Sequence, residues 1–445
     1  MKLRRALSTT ALLLLGTCAT TAAALESERA TLDNGLRLVL SQQASVPIVS
    51  IDCLIDGGAR IDPRNRPGLA GMTADLLDEG TRAGTAREIA RRIDSIGGSF
   101  GTAAAYDWTH VGAAVLSRDF ATAIEMIADS LRYPTFPESE VERVRRETLG
   151  GLEAAEEDPG DVAARTFRQA LYGDAGYGHP VAGTPASVKA ITRDEILAFH
   201  QRSITPDHTI CAIVGDVTTD QMLAAAREKL GSWKGVAVLA KDRLTTPPGS
   251  REIRIDRPVT QANIVIGQLG VARDNPDYFS ILLMNHILGG GGFSSRLMEE
   301  VRTQKGLAYS VYSSFSSTRL PGPFRVVLQT RAETAGEAIA IVRREISRMH
   351  LDGVSEAELA AAQDFLTGSF PLRLDSTAKL SGLLAQIEYF GLGDDYIERY
   401  AERVRNVTQA EVAAAARRHL RPEDLIVVAV GPEAELGEQG FTVSE

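Results

Sequence analysis

The chain has no pair of histidines spaced to share a metal ion. Its seven histidines (His110, His179, His200, His208, His286, His350 and His419) never fall four residues apart, the separation at which two imidazoles on one helical face meet a single zinc. A P-loop and a nucleophilic cysteine context are missing as well, which leaves nucleotide-dependent and thiol chemistry without a carrier. Cysteine is scarce: Cys18 sits in the N-terminal apolar segment, and only Cys53 and Cys211 follow it. With no CxxC pair, neither a redox motif nor a zinc knuckle is supported. Both cysteines lie in apolar runs, PIVSIDCLID and HTICAIVGDV, and are read as buried free thiols, although export would permit a disulfide. Basic clusters are absent and the formal charge is −10, a balance that argues against nucleic acid as a partner. Beyond the N-terminus no stretch approaches the ~20 uninterrupted apolar residues of a membrane-spanning helix.

What is present begins with an address. Lys2, Arg4 and Arg5 precede an apolar run centred on residues 12–15 and a small-residue exit at residues 22–24, the pattern of a cleaved secretory signal over residues 1–24. A lipoprotein signal through Cys18 is disfavoured by Thr17, which stands where a smaller residue is usual. Cleavage removes three bases and no acids, so the mature chain is three charges more negative. It is expected in a bacterial periplasm. At 445 residues the chain exceeds one ordinary core, so two or more domains are expected.

Those domains are copies of each other. TRDEILAFHQRSITPDHTICAIVGD reappears as TQAEVAAAARRHLRPEDLIVVAVGP without a gap: Thr192 and Thr408, Pro206 and Pro422, and Gly215 and Gly431 are each 216 residues apart. Each copy opens on a capping box, Thr192 with Glu195 and Thr408 with Glu411, and runs through an amphipathic helix and a proline turn into an apolar strand. The duplication predicts an α+β fold in two homologous halves, each a mostly antiparallel sheet with helices packed on it. The first spans residues 25–234 and the second residues 253–445. Residues 235–252, rich in Pro, Gly and polar groups, read as a linker.

Candidate chemistry is concentrated in the second half. LGGGGFSSRL, with Gly289, Gly290, Gly291 and Gly292, follows a helix and not a strand, so a dinucleotide-binding loop is excluded by context. Two readings stay open, a flexible link between helices and a mobile loop whose backbone meets an extended ligand. The next segment, SSRLMEEVRTQKGLAYSVYSSF, places Arg302 near the end of a helix and Tyr309 at the start of a strand, where the two side chains could converge. Together they could donate hydrogen bonds to a peptide carbonyl or a developing oxyanion. A surface arginine and a packed strand tyrosine are the plain alternative. His286, on an apolar helix, reads as a core histidine rather than a ligand.

With these segments in view, the chain resembles the pitrilysin/insulinase family of zinc metallopeptidases, in the short two-domain form found in bacteria and in the mitochondrial processing peptidase. The resemblance covers nearly all of the mature chain and is carried by TLDNGLRLVL, DGGARIDPRNRPGLAG, GHPVAGTPASVKAITRDEI, the strand ending VGD, and the Gly-rich and Arg-Tyr segments. In catalytic members the helix that begins Gly-Leu-Ala carries H-x-x-E-H, two zinc-binding histidines and a glutamate that activates water. Here GLAGMTADLLDEGT places Gly71, Ala74 and Asp75 at those three positions. Glycine and alanine can do neither task, and one carboxylate without an imidazole would hold zinc poorly. Glu147 is the nearest match to the third ligand and, with its partners gone, reads as a solvated helix residue.

The resemblance therefore implies a chain without catalytic residues or bound metal of its own. Family members that lack the zinc motif but keep an Arg followed seven residues later by a Tyr serve as the other subunit of a heterodimer, and Arg302 and Tyr309 have that spacing. It implies a substrate-positioning role for this pair, like that of the mitochondrial α subunit, together with contact from Gly289–Gly292, half of a clamshell chamber, and a homologous partner that carries H-x-x-E-H and zinc. The rival expectation is a pseudo-peptidase used for binding or assembly; an autonomous peptidase is the most remote.

Overall fold

The computed structural model of the chain describes residues 26–174, 176–239, 249–433 and 436. The segment read as a signal lies outside them. The strands of the first half are β1 (Glu28–Thr31), β2 (Arg37–Gln42), β3 (Ile48–Asp56), a two-residue pair β4 (Gly80–Thr81) and β5 (Gly84–Thr85), β6 (Ser99–Ala104), β7 (Trp108–Leu116) and β8 (Thr209–Gly215). Its helices are α1 (Leu69–Asp75), α2 (Ala86–Ser95), α3 (Phe120–Arg132), α4 (Glu138–Glu157), α5 (Pro159–Tyr172), α6 (Pro185–Ala190), α7 (Arg193–Ser203) and α8 (Thr219–Leu230). In the second half come β9 (Arg251–Asp256), β10 (Gln261–Leu269), α9 (Tyr278–Asn285), β11 (Ala308–Phe315), β12 (Pro323–Arg331), α10 (Ala335–Asp352), α11 (Glu356–Ser369), α12 (Thr377–Phe390), α13 (Tyr396–Arg405), α14 (Gln409–His419) and β13 (Ile426–Gly431).

Each half builds one sheet on one plan. The first has the order β1-β2-β8-β3-β7-β6, and the second, read from its far edge, β9-β13-β10-β12-β11. Without β1 the two orders correspond strand for strand. In each sheet a single pair is parallel, β2 with β8 and β9 with β13, and every other pairing is antiparallel. Both capping boxes form: the Thr192 and Thr408 hydroxyls accept from the Glu195 and Glu411 backbone N–H groups, and each glutamate accepts in return from the threonine N–H.

The central strands explain why neither half stands apart. β8 and β13 are buried along their whole length, so both faces of each sheet need cover. Because side chains alternate along a strand, Cys211 and Ile213 enter the core beneath the first half's own helices, while Ala212 and Val214 point into a core containing Leu380 and Leu384 of α12. The second sheet reciprocates. Ile426, Val428 and Val430 of β13 pack on Val162, Phe167 and Leu171 of α5. Each half thus lends a helix to the other's sheet.

Polar contacts seal the same boundary. The Tyr389 hydroxyl donates to Asp56 at 2.7 Å and the Arg319 N–H donates to Asp107 at 2.9 Å, while within the first half the Tyr177 hydroxyl donates to the other oxygen of Asp107.

One expectation needs correction: Cys53 and Cys211 form a disulfide. They are directly opposed in the antiparallel pairing of β3 with β8, with Cα atoms 4.0 Å apart. That cross-strand register brings two side chains of the same face into bonding reach. The sequence placed both residues on strands but could not pair the strands.

Candidate functional site

The degenerate motif lies on α1, whose start is fixed from outside the helix. Asp62 accepts from the backbone N–H groups of Gly68 at 2.7 Å and Ala70 at 2.8 Å, taking up donors that a helix N-terminus leaves free. Every residue of α1 is buried except Asp75. Residues 178–184 run across its first turn, where the Ser187 hydroxyl donates to the Pro67 carbonyl at 2.6 Å. Gly68, at φ 92°, and Gly183, at φ 81°, allow the two backbones to meet.

This crossing closes the position of the first metal ligand. A Cβ built on Gly71 would stand 2.7 Å from the Val181 carbonyl oxygen, so a histidine could enter only if that backbone moved. Ala74 is fully buried in the helix packing. Glu147 is already engaged: Arg143 donates to both its oxygens at 2.9 and 2.8 Å and also bridges Glu79 and Glu140, each at 2.6 Å. Among the described residues no group of three His, Cys, Asp or Glu side chains could hold a metal ion. The residues present do not fit a zinc site.

A cavity of about 840 Å³ remains over the motif, walled by α1, α4, α5 and the edge strand β6, with Asp75, Glu147, Thr102, Tyr106 and Arg168 in its lining. Asp75 is exposed in the lining of this cavity and, among the described residues, makes no hydrogen bond or ion pair. Burial, reinforced by the charges of Asp78, Glu79 and Glu147, pushes its carboxyl up to about 6.

The second-half candidates converge. Helix α9 continues through a wide π-helical turn, His286–Gly290, and a second such turn, Met298–Gln304, carries Arg302. β11 begins with an irregular pairing between Ala308 and Val311, and Tyr309 stands out from it, 83% exposed. The Arg302 guanidinium carbon lies 4.8 Å from the centre of the Tyr309 ring. It also lies over the Phe293 ring, 4.6 Å from that ring centre. Among the described residues Arg302 has no side-chain hydrogen bond or ion pair, so its donors are open to a ligand. Phe293 was passed over in the sequence; an aromatic residue directly after a glycine run is the signal that could have found it.

The glycine run is more fixed than a flexible link. Gly289 is buried, and a Cβ there would come within 2.6 Å of the Ser313 hydroxyl and 2.7 Å of its backbone nitrogen. Cβ atoms on Gly290 and Gly291 would meet Asn285 and His286. Glycine is required because the helix end packs directly on β11. Only Gly292, exposed and at φ 61°, has open space around its Cα. His286 stacks on Phe365 with ring centres 4.9 Å apart, and burial lowers its pKa, in keeping with a neutral packed histidine.

Comparison with known proteins agrees with this layout. A family model described as insulinase, peptidase family M16, matches residues 37–185, and a second, described as the peptidase M16 inactive domain, matches residues 190–366. A Streptomyces coelicolor protein called an uncharacterized zinc protease is 32% identical over 399 residues, covering 87% of this chain and 86% of its own. A Helicobacter pylori protein called the non-peptidase homolog YmxG is 24% identical, covering 87% and 90%. Among solved structures, the peptidase M16 inactive domain from Pseudomonas fluorescens superposes with a TM-score of 0.87 at 30% identity, over 92% of this chain and 98% of that one.

Proposed function

Because the chain belongs to the insulinase family of peptidases, family M16, we propose that it is the substrate-positioning subunit of a two-chain zinc peptidase. Within the family it is a pseudo-peptidase. The observation that carries the proposal is the pairing of a closed metal position with an open Arg-Tyr site: Gly71 abuts the Val181 carbonyl, while the half-buried Arg302 and the exposed Tyr309 have, among the described residues, unused donors.

A homologous partner would supply H-x-x-E-H and the zinc, whose chemistry is to polarise the peptide carbonyl and activate water. This chain's part is to bind and orient. The Arg302 donors and the Tyr309 hydroxyl hold backbone oxygens of an extended peptide. Held donors cost no rearrangement when charge develops, which is why such groups accelerate acyl chemistry without reacting themselves. A periplasmic location is part of the proposal; the N-terminal sequence and a disulfide in the first sheet support it. Among the described residues no helix is long and apolar enough to cross a membrane.

A binding or assembly role without hydrolysis is the second reading. The cavity of about 840 Å³ kept over the ruined motif favours it, since β6 is a free sheet edge on that cavity, to which an extended peptide could add as a strand. A tagged pull-down of the mature chain from its own periplasm separates the two. A near-stoichiometric chain of similar size bearing H-x-x-E-H is expected; recovery of the chain alone supports the second reading.

A further inference from the structure

Phe293 is an apolar ring with no apolar burial to account for it. It is 74% exposed, yet its placement is fixed. Gly292 turns the backbone at φ 61°, the Ser294 hydroxyl donates to the Gly291 carbonyl at 3.0 Å, and the fully buried Ser295 donates to the Gly292 carbonyl at 2.7 Å. The Arg302 guanidinium lies over the ring so held, 4.6 Å from its centre, and over the Tyr309 ring, 4.8 Å from its centre.

A guanidinium carries its N–H donors in its own plane and none on its faces. Contact with two aromatic rings therefore restricts the guanidinium without using a donor. It leaves the planar fork unpaired beside the two rings, an arrangement suited to a carbonyl or carboxylate oxygen.

We propose that Phe293 is a positioning residue that holds Arg302 for a peptide backbone oxygen, so that the recognition element is the trio Phe293, Arg302 and Tyr309. This rests on the reading of Arg302 as a substrate contact. It gives the glycine run a purpose: three close-packed glycines and one left-handed glycine deliver the chain to Phe293 at the height of Arg302.

The test is kcat/KM for a peptide substrate in the complex with the H-x-x-E-H partner. Phe293→Ala and Phe293→Leu are each expected to lower it by roughly two- to five-fold, the equivalent of an exposed cation–π contact, whereas Phe293→Trp keeps it near wild type. In an Arg302→Ala background, Phe293→Ala should add no further loss, and melting temperatures should stay unchanged because the ring is exposed. Full activity in Phe293→Leu, or an undiminished Phe293→Ala loss in the Arg302→Ala background, overturns the role of Phe293 alone. No loss in Arg302→Ala itself would overturn the positioning-subunit reading, and this inference with it.

Discussion

At the scale of single residues, Arg302 and Tyr309 stand together on the second half, while the positions of the zinc motif are held by Gly71, Ala74 and Asp75. In the complex, Arg302→Ala should lower kcat/KM by roughly 10²-fold, the usual cost of removing a positioned transition-state donor, with the partner's zinc content unchanged by mass spectrometry. Arg302→Lys should recover little, since an ammonium lacks the planar, five-donor fork of a guanidinium. Asp75 makes a separate prediction. Its carboxyl, at about 6 against an ordinary 3.8, binds its proton more tightly folded than unfolded, so its contribution to stability is present below about 4 and is lost as pH rises through about 6. Asp75→Asn should accordingly melt above wild type at pH 7.5 and converge with it near pH 4; equal melting at both values would show that the cavity water screens this charge fully. Gly71, Ala74, Asp75, Arg302 and Tyr309 could be singled out in the sequence because the family resemblance fixes which positions to compare. Phe293 and the Val181 carbonyl were not, because each matters only through a contact made in three dimensions.

At the scale of elements, α1 is held by what crosses it. Gly71→Ala gains about 1 kcal/mol of helix propensity but sets a Cβ 2.7 Å from the Val181 oxygen, and such overpacking typically costs about 1–3 kcal/mol. The net expectation is a small loss of stability, read by urea denaturation; a gain would mean that residues 180–183 yield easily. The triple change Gly71→His, Ala74→Glu, Asp75→His should for the same reason fail to bind stoichiometric zinc. Strands and capped helices were readable from alternation and from the Thr-Glu boxes. The π-helical turns at His286–Gly290 and Met298–Gln304 were not, since a widened turn leaves no periodicity of its own in so short a stretch. The glycine run read as flexible for a related reason: composition reports backbone freedom, whereas Gly289 is there for its close contact with Ser313.

At the scale of the whole molecule, the duplication was visible in the 216-residue register, but the exchange of helices was not. α5 and α12 cover the opposite half's sheet, and nothing local marks a helix as destined for a neighbour's core. The exchange predicts one cooperative unfolding transition rather than two. Phe167→Ala, which empties the contact between α5 and the second sheet, should cost about 3–5 kcal/mol and lower that single transition; two separated transitions in calorimetry would refute the coupling. Because Cys53 and Cys211 are fully buried, their disulfide should resist dithiothreitol until the chain unfolds, and replacing both cysteines by alanine should cost about 2–5 kcal/mol. The central claim is a division of labour between two chains, and one assay addresses it: zinc-dependent hydrolysis of a peptide by this chain alone, by the H-x-x-E-H partner alone, and by the two mixed. The account predicts no turnover from this chain and a marked rise when the two are combined. Hydrolysis by this chain on its own, or a mixture no faster than the partner, would contradict it.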